Sequence, residues 1–127
     1  MARTPQEVLQ HHGDALGAGD LDEILADYTD DAVLITPQGT FTGTAGARDA
    51  WLQLLGDMPN PKVEVTSVVI EGLVDGAVVH MRWTADTDQG RVDDGVDTLV
   101  LDPSGIRVQT VHYTSPRNDG QGDAPRR

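Results

Sequence analysis

The segment GVDTLVLDPSGIRVQTVHYT, residues 95–114, decides the fold because it predicts two antiparallel strands joined by a tight turn. Apolar and β-branched residues alternate on both sides of residues 102–105, where Pro and Gly favour a turn. Asp97 is unusual, since alternation places it on the same predicted face as Leu99 and Leu101. A carboxylate on an otherwise apolar face indicates that this face borders a pocket.

The elements around this hairpin predict an α+β fold with the helices first. Strands are predicted over residues 62–70, 77–86, 92–101 and 106–114, and their short links make them sequential antiparallel neighbours. Before them, the sequence predicts a helix capped by Thr4, a second helix from Asp20 with Tyr28 on its apolar face, and a third from about Thr44. A short strand at residues 32–36 separates the second and third helices. The helices should therefore pack on one face of a curled antiparallel sheet.

Composition limits the classes of function. The 127 residues suit one domain, here residues 1–114, and the chain has no cysteine for disulfides or thiolate metal sites. A formal net charge of −12 disfavours binding to nucleic acid or to anionic membranes. The absence of a signal-like or membrane-spanning run predicts a cytoplasmic protein. Residues 115–127 contain no large apolar side chain and are predicted to form a disordered tail.

Polar residues on neighbouring strands leave two interpretations open. In the strand at residues 77–86, His80 and Arg82 alternate with an apolar row that contains Trp83, and in the last strand Thr110 shares a row with His112. These mixed rows either join Asp97 on one concave face, as a polar cluster in a small-molecule pocket, or form the solvated side of the sheet. The charge of Asp97 among leucines favours the first interpretation.

Three strings in this element order, GAGDLDEIL, AVLITPQGTFTG and GVDTLVLDPSGIRVQTVHY, resemble SnoaL-like and nuclear transport factor two-like proteins. That superfamily includes ketosteroid isomerases, polyketide cyclases and limonene epoxide hydrolases. The resemblance implies a conical barrel in which a strongly bent antiparallel sheet wraps around N-terminal helices. It also implies an apolar pocket for a small ligand and a homodimer formed through the outer sheet face, with no cofactor and no metal.

The catalytic residues of these relatives carry over only in part. Ketosteroid isomerases place a proton-shuttling Asp before a Pro on the first strand, where this chain has Thr36, and their phenolic donor on the first helix falls near His12. Their second aspartate has a counterpart in Asp97, so the resemblance does not imply that complete mechanism. The Asp-Arg-Asp set of epoxide hydrolases would find Arg82 and Asp97, with His112 near the third position. A SnoaL-like cyclase needs chiefly one acid/base aspartate, which Asp97 supplies.

Two functional hypotheses follow from these residues. The first is an acid–base enzyme that isomerises, cyclises or opens an epoxide in an apolar oxygenated substrate, with Asp97, His112 and Arg82 as catalytic groups. The second is a non-catalytic ligand-binding or dimerisation module. Asp97 would be protonated if alone and ionised beside Arg82 or His112, and we expect the ionised form. The expected ligand-binding residues are His12, Tyr28, Thr36, Trp51, His80 and Thr110. No histidine spacing supports a metal site at His80, His112 and Asp97.

Overall fold

The computed structural model describes residues 3–116, which form three helices and six strands in the predicted order, helices first. The elements are α1 Pro5–Ala18, α2 Leu21–Leu25, β1 Tyr28–Thr36, β2 Gly39–Thr42, α3 Gly43–Asp57, β3 Lys62–Leu73, β4 Gly76–Thr87, β5 Gly90–Asp102 and β6 Gly105–His112. The predicted α+β class is confirmed. Within the described part of the chain, no helix combines the length and apolarity needed to span a membrane.

The strands form one bent sheet in the order β2-β1-β6-β5-β4-β3. Strands β3 to β6 are consecutive antiparallel neighbours, as their short links predict. Strand β1 lies parallel to β6, a pairing that local sequence does not signal because it joins distant segments. The concave face of the sheet carries α1 and α3, and the opposite face is called the outer face below.

The helix boundaries follow from local capping. Thr4 accepts a hydrogen bond from the backbone N–H of Glu7, and the Glu7 carboxylate accepts one from the Thr4 backbone, so α1 begins with a complete capping box. Gly19 ends α1 in the left-handed conformation, with φ of 67°. Asp20 caps α2 by accepting a hydrogen bond from the backbone of Glu23.

The prediction that Tyr28 belongs to the second helix is wrong, because α2 ends at Leu25 and Tyr28 is the first residue of β1. Tyr28 pairs with Ile106 of β6, and the carbonyl oxygen of Asp27 accepts a 2.8 Å hydrogen bond from the Ile106 backbone. This long-range pairing overrides the helical spacing of the local apolar residues. It also directs the side chain of Tyr28 toward His12 and Trp51.

The core lies between the concave face and the helices. Leu34, Leu54, Val79, Leu99 and Ile106 have at most 1% of their surface exposed. Burial of one such side chain contributes about 1.5–3 kcal/mol.

The chain remains packed just beyond residue 114. The Ser115 hydroxyl donates a 2.8 Å hydrogen bond to Asp57, and Pro116 is buried. The rest of the predicted disordered tail, residues 117–127, lies outside the described residues.

Candidate functional site

A cavity of about 510 Å³ lies between α1, α3 and the concave face of β3 to β6. Its volume is in the range of small-molecule sites. Most of its lining is apolar, and the polar lining groups include His12, Asp97 and Gln109. The apolar wall is formed by Leu9, Leu16, Trp51, Leu54, Leu55, Met58, Pro61, Val63, Val65, Val68, Ile70, Met81, Trp83 and Val111.

Asp97 is a buried carboxylate in this wall, with 7% of its surface exposed. Its Oδ1 accepts a 2.8 Å hydrogen bond from Nε1 of Trp83, and its Oδ2 accepts one of 2.8 Å from Nε2 of Gln109. Burial raises the pKa of Asp97, while the two N–H donors and the nearby His12 act in the opposite direction without cancelling the rise. A carboxyl group with a raised pKa can accept and return a proton near neutral pH more readily than an exposed one.

The hydrogen bonds continue from Asp97 through Gln109 to Tyr28. The Tyr28 hydroxyl donates a short hydrogen bond to Oε1 of Gln109 and accepts one of 2.9 Å from Nε1 of Trp51. Nε2 of His12 lies 3.5 Å from the same hydroxyl oxygen. Burial raises the pKa of Tyr28 well above its ordinary value of 10.0, so this hydroxyl keeps its proton.

His12 is oriented by a second buried carboxylate, Asp27, which is fully buried. Nδ1 of His12 lies 3.1 Å from Asp27 Oδ2 and donates to it, which leaves Nε2 on the Tyr28 side. Arg3 and Nδ1 of His11 also donate to Asp27, each at 2.8 Å. Burial alone would raise the pKa of Asp27, but the hydrogen bonds from His12, Arg3 and His11 together lower it.

His11 is held between two carboxylates. Its Nδ1 faces Asp27 and its Nε2 lies 2.8 Å from Glu23, so the hydrogen bonds with Asp27 and then Glu23 raise the pKa of His11. An imidazolium at this position neutralises part of the charge on Asp27.

Three of the predicted site residues, His12, Trp51 and Asp97, line the cavity, and Tyr28, which is outside the lining, contacts His12 and Trp51. Thr36 is buried, but its hydroxyl exchanges hydrogen bonds with Gln38 and it does not contribute to the lining.

The prediction that the mixed rows share the face of Asp97 is wrong. Asp97 pairs with Met81 on β4 and with Val111 on β6, whereas Val96 pairs with Arg82 and His112. Thr98 likewise pairs with His80 and Thr110. Since paired residues share a face, Arg82, His112, His80 and Thr110 all lie on the outer face.

The polar rows lie on the outer face because the β4–β5 hairpin and the β5–β6 hairpin each contain one β-bulge. In the β4–β5 pair, Asp93 and Asp94 together oppose Thr84, and in the β5–β6 pair Arg107 is the additional residue. Without its bulge, the register of the β4–β5 turn would pair Asp97 with His80. Without its bulge, the register of the β5–β6 turn would pair Asp97 with Thr110. A shift of one residue exchanges the two faces of a strand.

Asp97 therefore does not have Arg82 and His112 as neighbours, although the sequence led us to expect these two cations beside it. Its hydrogen-bond partners are Trp83 and Gln109, and neither Arg82 nor His112 reaches the cavity. His80 and His112, whose spacing does not support a metal site with Asp97, are likewise separated from it on the other face of the sheet.

Sequence reasoning missed Asp27, Gln109 and the role of Trp83. The sequence did contain a signal for Trp83 and Gln109. The apolar row of β4 should lie on the same face of the sheet as the apolar row of β5, which contains Asp97 and Leu99. Matching those rows places Gln109 and Val111 beside them. Asp27 carried no such signal, because it precedes β1 at a helix end where aspartate is common.

Comparison with known proteins identifies the class of protein. The SnoaL-like domain model matches residues 9–114. A protein of unknown function with a cystatin-like fold from Nostoc punctiforme PCC 73102 has a TM-score of 0.73 at 15% identity, covering 90% of this chain and 96% of the other. A ketosteroid isomerase-like protein from Erwinia carotovora atroseptica SCRI1043 has a TM-score of 0.69 at 18% identity, with coverages of 87% and 94%.

A SnoaL-like protein of unknown function from Burkholderia thailandensis E264 is 23% identical over 86% of this chain and 93% of the other, with a TM-score of 0.63. A search of curated protein sequences gives no match. The chain therefore belongs to the SnoaL-like domain family.

Proposed function

We propose that this protein is an acid–base enzyme that isomerises, cyclises or hydrolyses a small, apolar, oxygenated molecule, with Asp97 as its proton-transfer group. The observation that carries the proposal is the carboxylate of Asp97, which is buried in the wall of a largely apolar cavity of about 510 Å³. Keeping a carboxylate there costs free energy, because burial disfavours the charged form. Such groups are concentrated at functional sites.

The electrostatics of the cavity favour a neutral substrate. Among its described lining residues there is no Lys or Arg, and Asp14 adds a second carboxylate to Asp97. An anionic ligand would leave water without a cationic partner other than His12. A ketone, lactone, phenol or epoxide on a hydrocarbon skeleton avoids that cost.

The proposed chemistry begins with Asp97 as the base. Its carboxylate accepts a proton from a carbon next to the substrate carbonyl, or from a water that opens an epoxide, and later returns that proton to the product. Trp83 and Gln109 hold the two carboxylate oxygens in place, so the group is oriented before the substrate arrives.

The second candidate function is ligand binding without catalysis. It is favoured by the same two hydrogen bonds, because each oxygen of Asp97 already has a partner within the protein. In that case Asp97 only orients a guest that donates a hydrogen bond.

The test is a panel of neutral bicyclic ketones, phenols and epoxides, screened first by thermal shift and then for turnover by NMR. For a probe that the native protein binds and converts, Asp97→Asn should retain binding and lose at least about 100-fold in kcat. Asp93→Asn is the matched control, since Asp93 is an exposed acid on the same strand, paired with Arg91. Binding without conversion of any probe supports the second candidate, and equal turnover by native protein and Asp97→Asn contradicts the first.

Stability provides a check that Asp97→Asn is folded. Because the pKa of Asp97 is raised in the folded protein, its contribution to stability is fully present below its ordinary pKa of 3.8 and is lost as pH rises through the folded value. At neutral pH the substitution should therefore leave the free energy of unfolding unchanged or higher. A loss of activity accompanied by unfolding would not assign the proton transfer to Asp97, and urea denaturation shows whether the variant is folded.

We also propose that the protein is a homodimer formed through the outer face. Ile35 and Val69 are exposed on that face by 44% and 57%, which leaves apolar surface for a second copy to cover. Sedimentation equilibrium of the native protein and of Val69→Lys measures the association directly.

A further inference from the structure

The hydrogen bonds that connect Trp51 to Asp97 all run in one direction. Trp51 donates to Tyr28, Tyr28 donates to Gln109, and Gln109 donates to Asp97. The orientation of the Gln109 amide is fixed by its neighbours, since its Oε1 must accept from Tyr28 and its Nε2 must donate to the carboxylate. This arrangement suits an ionised Asp97.

A proton on Asp97 changes what Gln109 must do. Trp83 Nε1 is only a donor, so of the two protein groups bonded to the carboxyl only Gln109 can accept the O–H, through Oε1 and not through Nε2. To accept it, the amide rotates and presents Oε1 to Asp97. Its Nε2 turns to the Tyr28 oxygen, which cannot at the same time donate in that direction.

The rotated state also satisfies every group. The Tyr28 oxygen has two lone pairs, which accept from Trp51 and from the turned Gln109 amide. Its O–H is then released toward Nε2 of His12, 3.5 Å away. That nitrogen is free to accept, because Nδ1 carries the proton that is donated to Asp27.

We propose that Gln109 and Tyr28 form a reversible hydrogen-bond relay that couples the protonation states of Asp97 and His12. An ionised Asp97 leaves the Tyr28 oxygen able to accept from a protonated His12, whereas a protonated Asp97 makes Tyr28 a donor to a neutral His12. No proton passes through Gln109, since its amide only rotates. Each end exchanges its proton with substrate or water, and the relay favours one proton shared between the two ends.

The relay assigns positioning roles to Gln109 and Tyr28. Its use in catalysis rests on the proposed function: a proton taken up by Asp97 would favour release of a proton from His12. The groups that face the two ends are Trp83, Gln109 and His12 around Asp97, and Asp27, Tyr28 and Trp51 around His12. Arg3 and His11 reach His12 only through Asp27.

The test needs no substrate, so its failure is distinguishable from failure of the proposed function. Asp97→Asn imitates the protonated carboxyl, because the new amide accepts from Trp83 through oxygen and presents its NH₂ to Gln109. ¹⁵N NMR of the neutral imidazole form should then show the Nε2 signal of His12 shifting toward that of a hydrogen-bond acceptor. The side-chain NH₂ signals of Gln109 should shift with it. His12→Gln assigns the imidazole signals among the four histidines of the chain.

The control is the same measurement in a chain with an interrupted relay. In Asp97→Asn combined with Tyr28→Phe, the response of His12 should be lost, and Gln109→Met gives a second interruption if Tyr28→Phe does not fold. A double-mutant cycle separates the relay from direct electrostatic coupling. The proposal is overturned if His12 does not respond to Asp97→Asn, or if its response keeps most of its size when the relay is interrupted.

Discussion

The concave and outer faces of strands β4 to β6 both carry polar side chains, but in different environments. On the concave face, Asp97 and Gln109 are buried and bonded to each other and to Trp83. On the outer face, Arg82 and His112 are exposed. Burial forces a polar group to find partners, whereas water supplies partners on the outer face. A charged residue on a strand is therefore evidence for a site only when it is known on which face of the sheet the residue lies.

The largest effect should come from Asp27, the buried carboxylate behind His12. Asp27→Asn removes the charge that Arg3, His11 and His12 share, and we expect a loss of about 3 kcal/mol in the free energy of unfolding. Asp31→Asn is the control, because Asp31 is an exposed partner of Arg107 at 3.4 Å and should cost less than about 1 kcal/mol. Urea denaturation measures both, and equal losses would contradict the distinction between buried and exposed acids.

The pH dependence of the same variant has a definite sign. Since the pKa of Asp27 is lowered, its stabilisation is present above its ordinary pKa of 3.8 and is lost as pH falls through the folded value. The pKa of His11 is raised, so the His11 contribution is present below 6.5 and is lost as pH rises through the folded value. The stability difference between native protein and Asp27→Asn should therefore shrink at both ends. A difference that is constant from acid to alkaline pH would contradict these shifts.

A smaller effect is expected where two concave-face residues meet closely. A Cβ at Gly95 would lie 2.2 Å from ring atoms of Trp83, so Gly95→Ala must displace the indole that donates to Asp97. We expect a loss of about 2 kcal/mol. Gly72→Ala is the matched control in β3, since a Cβ there has no atom within 4 Å among the described residues. Comparable unfolding curves for the two variants would show that Trp83 is not held in this position.

Trp83→Phe isolates the hydrogen bond itself. The Nε1–H of Trp83 lowers the pKa of Asp97 against the effect of burial, so its removal should raise that pKa further. We also expect a loss of about 1.5–3 kcal/mol when Asp97 is ionised. ¹³C NMR of the Asp97 carboxyl measures the pKa, and Trp51→Phe is the comparison, because Trp51 donates to Tyr28 instead. An unchanged titration of Asp97 in Trp83→Phe would contradict the assigned bond.

The sequence predicted the fold more completely than the site, and the two bulges explain why. Element order, the capping box at Thr4 and the four antiparallel strands depend on local patterns, which the sequence displays directly. Asp97 was also placed correctly in a buried wall, because its leucine neighbours mark the face. The companions of Asp97 depend on register, and the residues added at Asp93–Asp94 and at Arg107 exchange the faces of the neighbouring strands. The role of Asp27 could not be predicted from local sequence, because it depends on tertiary contacts with Arg3, His11 and His12.

The smallest effect should come from the outer face and provides a direct test of that register. Arg82→Gln and His112→Gln alter side chains that point away from the cavity, so neither should change probe binding or turnover, and each should change stability by less than about 0.5 kcal/mol. Gln109→Leu, on the concave face of the same strand as His112, should by contrast change both binding and the titration of Asp97. Thermal shift with a neutral phenol and ¹³C NMR of Asp97 measure the three variants side by side. If His112→Gln altered the Asp97 titration as strongly as Gln109→Leu, the bulge at Arg107 would have to be absent, and the polar rows would share one face after all.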